Sequence, residues 1–85
     1  MDRYIATQDL QTLATEYEVT TEQVLQFIQN ERSSGNIDAV YAYVNANPGA
    51  TLSEVATDAV QGGLDQTTAE HILRLLEFAG WIVKF

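Results

Sequence analysis

Between residues 66 and 74 the chain places Gln66, Thr67, Thr68, Glu70, His71 and Arg74. His71 is the single histidine, and imidazole is the side chain that exchanges its proton near neutrality. On an exposed helix face its ring can touch a base edge or a phosphate. The plainer arrangement is a surface histidine beside Thr67, Arg74 or Leu75. Arg74 stands four residues after Glu70 and three before Glu77. That spacing suits a solvated i, i+4 ion pair, worth about 0.3–0.5 kcal/mol. The remaining polar residues offer little to catalysis. The carboxylates are scattered, no serine sits in a strand-turn-helix elbow, and Gly62-Gly63 is a turn rather than a phosphate-cradling loop. With no cysteine and one histidine, thiolate and histidine metal sites are not expected, nor is a calcium loop. The expectation is a binding protein, not an enzyme, without a cofactor.

These residues need a helix to hold them. Ala69, Ile72, Leu73, Leu76 and Ala79 follow the i, i+3, i+4, i+7 spacing of one buried face, and Leu75 and Phe78 widen it enough to pack against two neighbours. Thr67, Glu70, His71, Arg74 and Glu77 form the polar face. Thr67 with Glu70 three residues later is a capping-box pattern, and Asp65 is an equally good cap. Gly80 ends the helix, and Trp81-Ile82-Val83-Lys84-Phe85 then reads as a short extended strand.

The run Thr-Thr-Ala-Glu-His-Ile-Leu-Arg-Leu-Leu-Glu-Phe-Ala-Gly-Trp-Ile (residues 67–82) resembles the recognition helix and following strand of winged-helix transcription regulators. There a helix ending in a Leu-Glu-x-x-Gly segment runs into the first wing strand. Asn47-Pro48-Gly49-Ala50-Thr51-Leu52-Ser53-Glu54-Val55-Ala56 is similar to the family's link from first helix to second. The resemblance covers about residues 37–85. It implies a mainly α, winged-helix-like helix-turn-helix domain of about five helices, with Thr51-Leu52 and Trp81–Phe85 forming a two-stranded ribbon. It also implies a small transcriptional regulator whose Gln66, Thr67, Thr68, Glu70, His71 and Arg74 address the major groove of double-stranded DNA. Glutamine can pair with adenine and glutamate can accept from cytosine. The chain departs from the family where Gln66 and His71 stand at positions commonly basic, and where one strand ends the sequence instead of a wing hairpin. Trp81, Val83 and Phe85 then mark an edge that either closes internally on Thr51-Leu52 or receives a protein partner or a second copy.

Charge bears directly on the partner. Twelve acids against four bases give −8, and residues 1–36 and 37–85 each hold six acids and two bases. Such a chain lacks the electrostatic pull toward phosphate that supplies most non-specific nucleic-acid affinity. The alternative function is therefore a winged-helix protein-interaction module that rejects DNA through its acidic surface. A more weakly favoured third reading, a nucleic-acid mimic, suits the charge but not its dispersion. An acidic, lysine-poor surface also suits a salt-adapted cytoplasm.

At 46% apolar residues with eight aromatics the chain should fold as one domain, soluble and cytoplasmic, without a membrane span or signal peptide. Residues 1–31 read as an N-terminal helical hairpin, 32–36 as a linker and 37–85 as the winged-helix-like core. Thr7 is a candidate cap for a helix over Gln8–Tyr17, with Leu10, Leu13, Ala14 and Tyr17 inward. Thr20 with Gln23 caps a second helix burying Val24, Leu25, Phe27 and Ile28. The pair is either a helix-turn-helix, with Glu18 where a turn glycine is usual, or an ordinary helical hairpin. Ile37–Asn47 buries Ile37, Val40, Tyr41 and Val44, and Ser53 starts a helix burying Val55, Ala56, Ala59 and Val60. Residues 1–6 carry Tyr4 and Ile5, which can tuck against the body, and are otherwise uninformative.

Overall fold

The computed structural model describes residues 2–32 and 35–85, with Glu31 and Arg32 described by their backbone alone. Ser33 and Ser34 of the expected linker therefore lie outside the described residues. In chain order the elements are β1 (Arg3–Ala6), α1 (Leu10–Glu16), α2 (Thr21–Arg32), α3 (Ile37–Ala46), β2 (Ala50–Thr51), α4 (Leu52–Asp58), α5 (Gln66–Phe78) and β3 (Ile82–Lys84). The domain is mainly helical with a small antiparallel sheet.

The sheet corrects the expected ribbon. Its order is β2-β1-β3, so the N-terminal strand lies between the two segments expected to pair with each other. Tyr4 stands opposite Ala50 on one side and Lys84 on the other, and Ile5 stands opposite Val83. Arg3 and Phe85 exchange both backbone bonds, at 2.9 and 2.8 Å. Leu52 is not a strand residue; it opens α4.

The core gathers on α3, whose Ile37, Val40, Tyr41 and Val44 are all fully buried, as their spacing predicts. Against them pack Ile28 of α2, Val55 of α4, Ala69, Ile72, Leu73 and Leu76 of α5, and Ile82 of β3. The Tyr41 hydroxyl donates to the Gln8 carbonyl at 2.5 Å, and its ring meets Trp81 edge-on with centroids 5.8 Å apart. Three residues expected in the core are instead exposed: Tyr17 (68%), Phe27 (59%) and Phe78 (86%). In each case the apolar arc is wider than the neighbouring elements can cover. On α2, Phe27 and Leu25 stand roughly 160° apart around the axis, so the helix buries Val24 and Ile28 between them.

Helix ends follow local chemistry. Thr20 and Gln23 bond each other's backbone amides, a reciprocal capping box. Asp9, not Thr7, caps α1 by accepting from the Thr12 amide at 3.1 Å. Thr7 has other work: its hydroxyl donates to the Gly80 carbonyl at 2.6 Å. Thr51, not Ser53, caps α4, and Glu54 returns the bond to the Thr51 amide at 3.0 Å. That backbone bond, with the Thr51 hydroxyl, holds the Glu54 carboxyl below the usual range. Asp65 precedes α5 without a side-chain cap, and the expected Thr67–Glu70 box does not form because α5 already starts at Gln66, which places Thr67 inside the helix; Glu70 bonds Arg74 instead. Gly80 (φ +81°) closes α5, with Trp81 N–H bonding the Leu76 carbonyl and Gly80 N–H the Glu77 carbonyl.

The end of α1 repeats that arrangement without glycine. Val19 N–H bonds the Ala14 carbonyl and Glu18 N–H the Thr15 carbonyl, and Glu18 itself takes φ +57°. A non-glycine residue in this left-handed region costs about 1–2 kcal/mol, partly offset in a glycine variant by about 0.5–1 kcal/mol of extra chain entropy. Glu18→Gly is therefore expected to stabilise the domain by about 0.5–1 kcal/mol in urea titrations; a loss of stability would mean that the Glu18 side chain holds the turn. Alkaline pH acts in the opposite direction. Burial, with Asp9 adding, pushes Tyr41 up to about 12, and burial also raises Tyr4 and Tyr43. Between pH 10 and 12 the unfolded chain releases the Tyr41 proton while the folded chain retains it. Stability should thus be intact below pH 10 and fall as pH rises through 12. Unfolding curves across that range check this, and Tyr41→Phe should flatten the decline.

Candidate functional site

Helix α5 presents its polar residues on two adjoining rows. Thr67, His71, Arg74 and Phe78 recur at i, i+4, i+7 and i+11, forming the outermost row, and all four are exposed. Gln66, Glu70, Arg74 and Glu77 form the other, lining an open groove of about 430 Å³ whose far wall includes Tyr4, Thr51 and Lys84. Thr68 is exposed too, but it lies roughly 200° around the helix from Gln66. Five of the six candidate base-reading residues therefore come together, and Thr68 stands apart.

Their electrostatics are set by pairing. Arg74 Nη2 meets Glu70 Oε1 at 2.7 Å, and Lys84 Nζ lies 3.8 Å from Asp2 Oδ2. The groove thus carries Asp2, Glu70 and Glu77 against Arg74 and Lys84, with both cations beside a carboxylate. Moving Arg74 onto a phosphate would break its bond and bring the phosphate toward two acids. The row ends in Phe78, an apolar ring where a phosphate contact would need a donor.

The residues expected at a partner edge divide between two places. β3 is an outer strand, and Trp81, Val83 and Phe85 alternate onto one face, where Val83 sits opposite Ile5. Val83, Ile5 and Phe85 leave substantial apolar surface exposed there. Because Arg3 and Phe85 form a bonded pair, the Ile82 and Lys84 backbone groups point away from β1 toward the open side. Lys84 places a charge on this edge, a common guard against strand addition.

Trp81 also lines a second, apolar groove of about 370 Å³ that the sequence reading missed. Leu13 and Val24 are its buried residues, and Tyr17, Val19, Phe27 and half-buried Trp81 surround them. The available signal was the width of the apolar arcs on α1 and α2, which is more than one neighbour can bury.

Among the described residues no cluster of histidine and carboxylate side chains could hold a metal ion, and no helix is long and apolar enough to cross a membrane. No family model matches the chain, and neither a curated protein nor a solved structure matches it.

Because the Glu70–Arg74 pair is exposed, Arg74→Ala is expected to change stability by no more than about 0.5 kcal/mol. Thermal unfolding checks this, and a larger loss would make the pair a structural element.

Proposed function

We propose that this chain is a winged-helix-like interaction module that recognises protein rather than DNA. The observation that carries the reading is the state of α5: Arg74, its one cation, is held by Glu70 at 2.7 Å, with Glu77 a turn further on. A helix so arranged repels the phosphates that normally position a reader on the duplex. The winged-helix part rests on element order. α3, β2, α4, α5 and β3 follow one another as the resemblance over residues 37–85 implies. β1 runs antiparallel to β3, in the place a wing hairpin's returning strand would take. Exposed apolar side chains on both β3 and the α1–α2 pair supply the surface that a protein contact requires.

A DNA-binding regulator is the second reading, favoured by one observation. No acid lies in the first turn of α5, and Gln66, Thr67 and His71 are open to solvent around its N-terminal half. An amide-resolved NMR titration with generic duplex DNA separates the two readings. The protein-recognition reading predicts unmoved resonances over residues 66–74 even at low salt. Shifts confined to that segment would overturn it: salt-sensitive shifts would indicate ordinary phosphate-assisted reading, and shifts surviving molar salt a salt-adapted reader.

A further inference from the structure

We infer that the groove between α1, α2 and Trp81 is the docking site for a basic amphipathic helix of a partner protein, an assignment that rests on the protein-recognition reading above. The groove is apolar in the right way for side-chain anchoring: Leu13 and Val24 are buried, and Tyr17, Val19, Phe27 and Trp81 surround them. Its volume of about 370 Å³ falls at the lower end of the about 300–1,000 Å³ range of sites that seat compact organic groups. Tyr17, the residue that ends α1, and Phe27 of α2 are both more than half exposed, although both helices have buried residues of their own. Leaving two aromatic rings in water on adjacent helices costs solubility, and contiguous patches of this kind mark interaction surfaces. Rigid aromatic side chains at a concave site are also the residue types that carry most binding energy at protein interfaces.

Charge selects the occupant. Residues 4–31 contain Asp9, Glu16, Glu18, Glu22 and Glu31 and no lysine or arginine. Asp9 adjoins groove residue Gln8, and Glu16 and Glu18 flank Tyr17 in sequence. All three are exposed. An apolar groove whose lining residues are flanked in sequence by exposed acids, in a chain of net charge −8, attracts a segment bearing apolar anchors among lysines or arginines, and it disfavours an acidic one. That includes a second copy of this chain, which brings −8 to a surface already negative. A groove between α1 and α2 with aromatic walls at Tyr17 and Phe27 suits a helical ligand with anchors at i, i+3 or i+4, and i+7.

Trp81 is the chain's single tryptophan and lines the groove, so its fluorescence reports occupancy directly. The experiment titrates the full chain with three synthetic peptides: a leucine–lysine amphipathic helix, the same composition scrambled to destroy the apolar face, and a leucine–glutamate counterpart. The first should saturate a change in Trp81 emission and shift amides of residues 8–27 and 81. Phe27→Ala and Tyr17→Ser, both at exposed positions, should each weaken it at least about tenfold. The scrambled and acidic peptides should produce neither effect. Equal binding of the scrambled peptide would reduce the interaction to charge alone and overturn the assignment, as would insensitivity to both substitutions. Concentration-dependent self-association in sedimentation, abolished by Phe27→Ala, would overturn it in favour of a second copy. Peptide shifts confined to residues 82–85 would overturn the groove while leaving protein recognition standing. DNA-induced shifts on residues 66–74 would instead remove the reading beneath it.

Discussion

The fold depends on one buried side chain more than on any other. Tyr41 sits at zero exposure in α3, donates its hydroxyl to the Gln8 carbonyl, and supports Trp81 edge-on. Those contacts fix three parts of the chain that are distant in sequence: the central helix, the entry to α1 and the turn into β3. A buried hydroxyl without an acceptor is costly, so the Gln8 backbone must stay where the bond places it. An aromatic edge-to-face contact adds about 0.5–1.5 kcal/mol beyond area burial, and its geometry orients the indole. The groove wall formed by Trp81 is therefore positioned from the core outward. The groove's one strand-side residue is held by the same side chain that anchors the N-terminal helices.

The second constraint is the insertion of β1 between β2 and β3. It explains how a helix-strand-helix-helix-strand run of residues forms a sheet although its two strands never touch. Thr7 extends this tie beyond the strand, its amide bonding the Trp81 carbonyl and its hydroxyl the Gly80 carbonyl. The glycine that ends α5 is thus clamped by residues near the start of the chain. Arg3 adds a side-chain bond to the Gly49 carbonyl, on the opposite flank of the same strand. Each of these contacts is non-local, and each converts a segment with weak local preference into a fixed one.

That contrast explains what could be read in advance. Elements whose information is local were legible: the buried faces of α3 and α5, the Thr20–Gln23 box, the stop at Gly80. Elements specified by distant partners were not. Arg3–Ala6 is four residues long with one aromatic, which is no strand signal until β2 and β3 are present on either side. Thr7 and Ser53 are plausible caps by type, but Asp9 and Thr51 are the residues whose oxygens reach the amides three positions on. The apolar stripes misled in one consistent way. Periodicity tells which residues share a face and not how much of that face a neighbour covers, so Tyr17, Phe27 and Phe78 were assigned inward. At the candidate site the same limit applied in reverse. The helix spacing placed Gln66, Thr67, Glu70, His71 and Arg74 on adjoining rows as expected, whereas the α1–α2 groove joins residues from three elements and has no linear signature.

The two surfaces also differ in what water does at each. On α5 the exposed groups are already satisfied by solvent and by each other, and an incoming phosphate must displace the Glu70 bond to Arg74 while approaching Glu77. Desolvating three charges to form one new contact is unfavourable unless the geometry is better than the one replaced. Around Tyr17, Phe27 and Trp81 the balance is reversed. There the surface removed from water is apolar, its burial is favourable at about 25 cal/mol per Å², and the exposed acids that neighbour the lining residues in sequence can steer a cation without being buried. Screening sharpens the difference. Raising the salt weakens steering by the exposed acids but leaves apolar burial in place, and salting-out ions strengthen it. A lysine-poor domain at −8 working in concentrated salt would accordingly depend on contacts of the second kind, and those contacts are built on α1, α2 and Trp81.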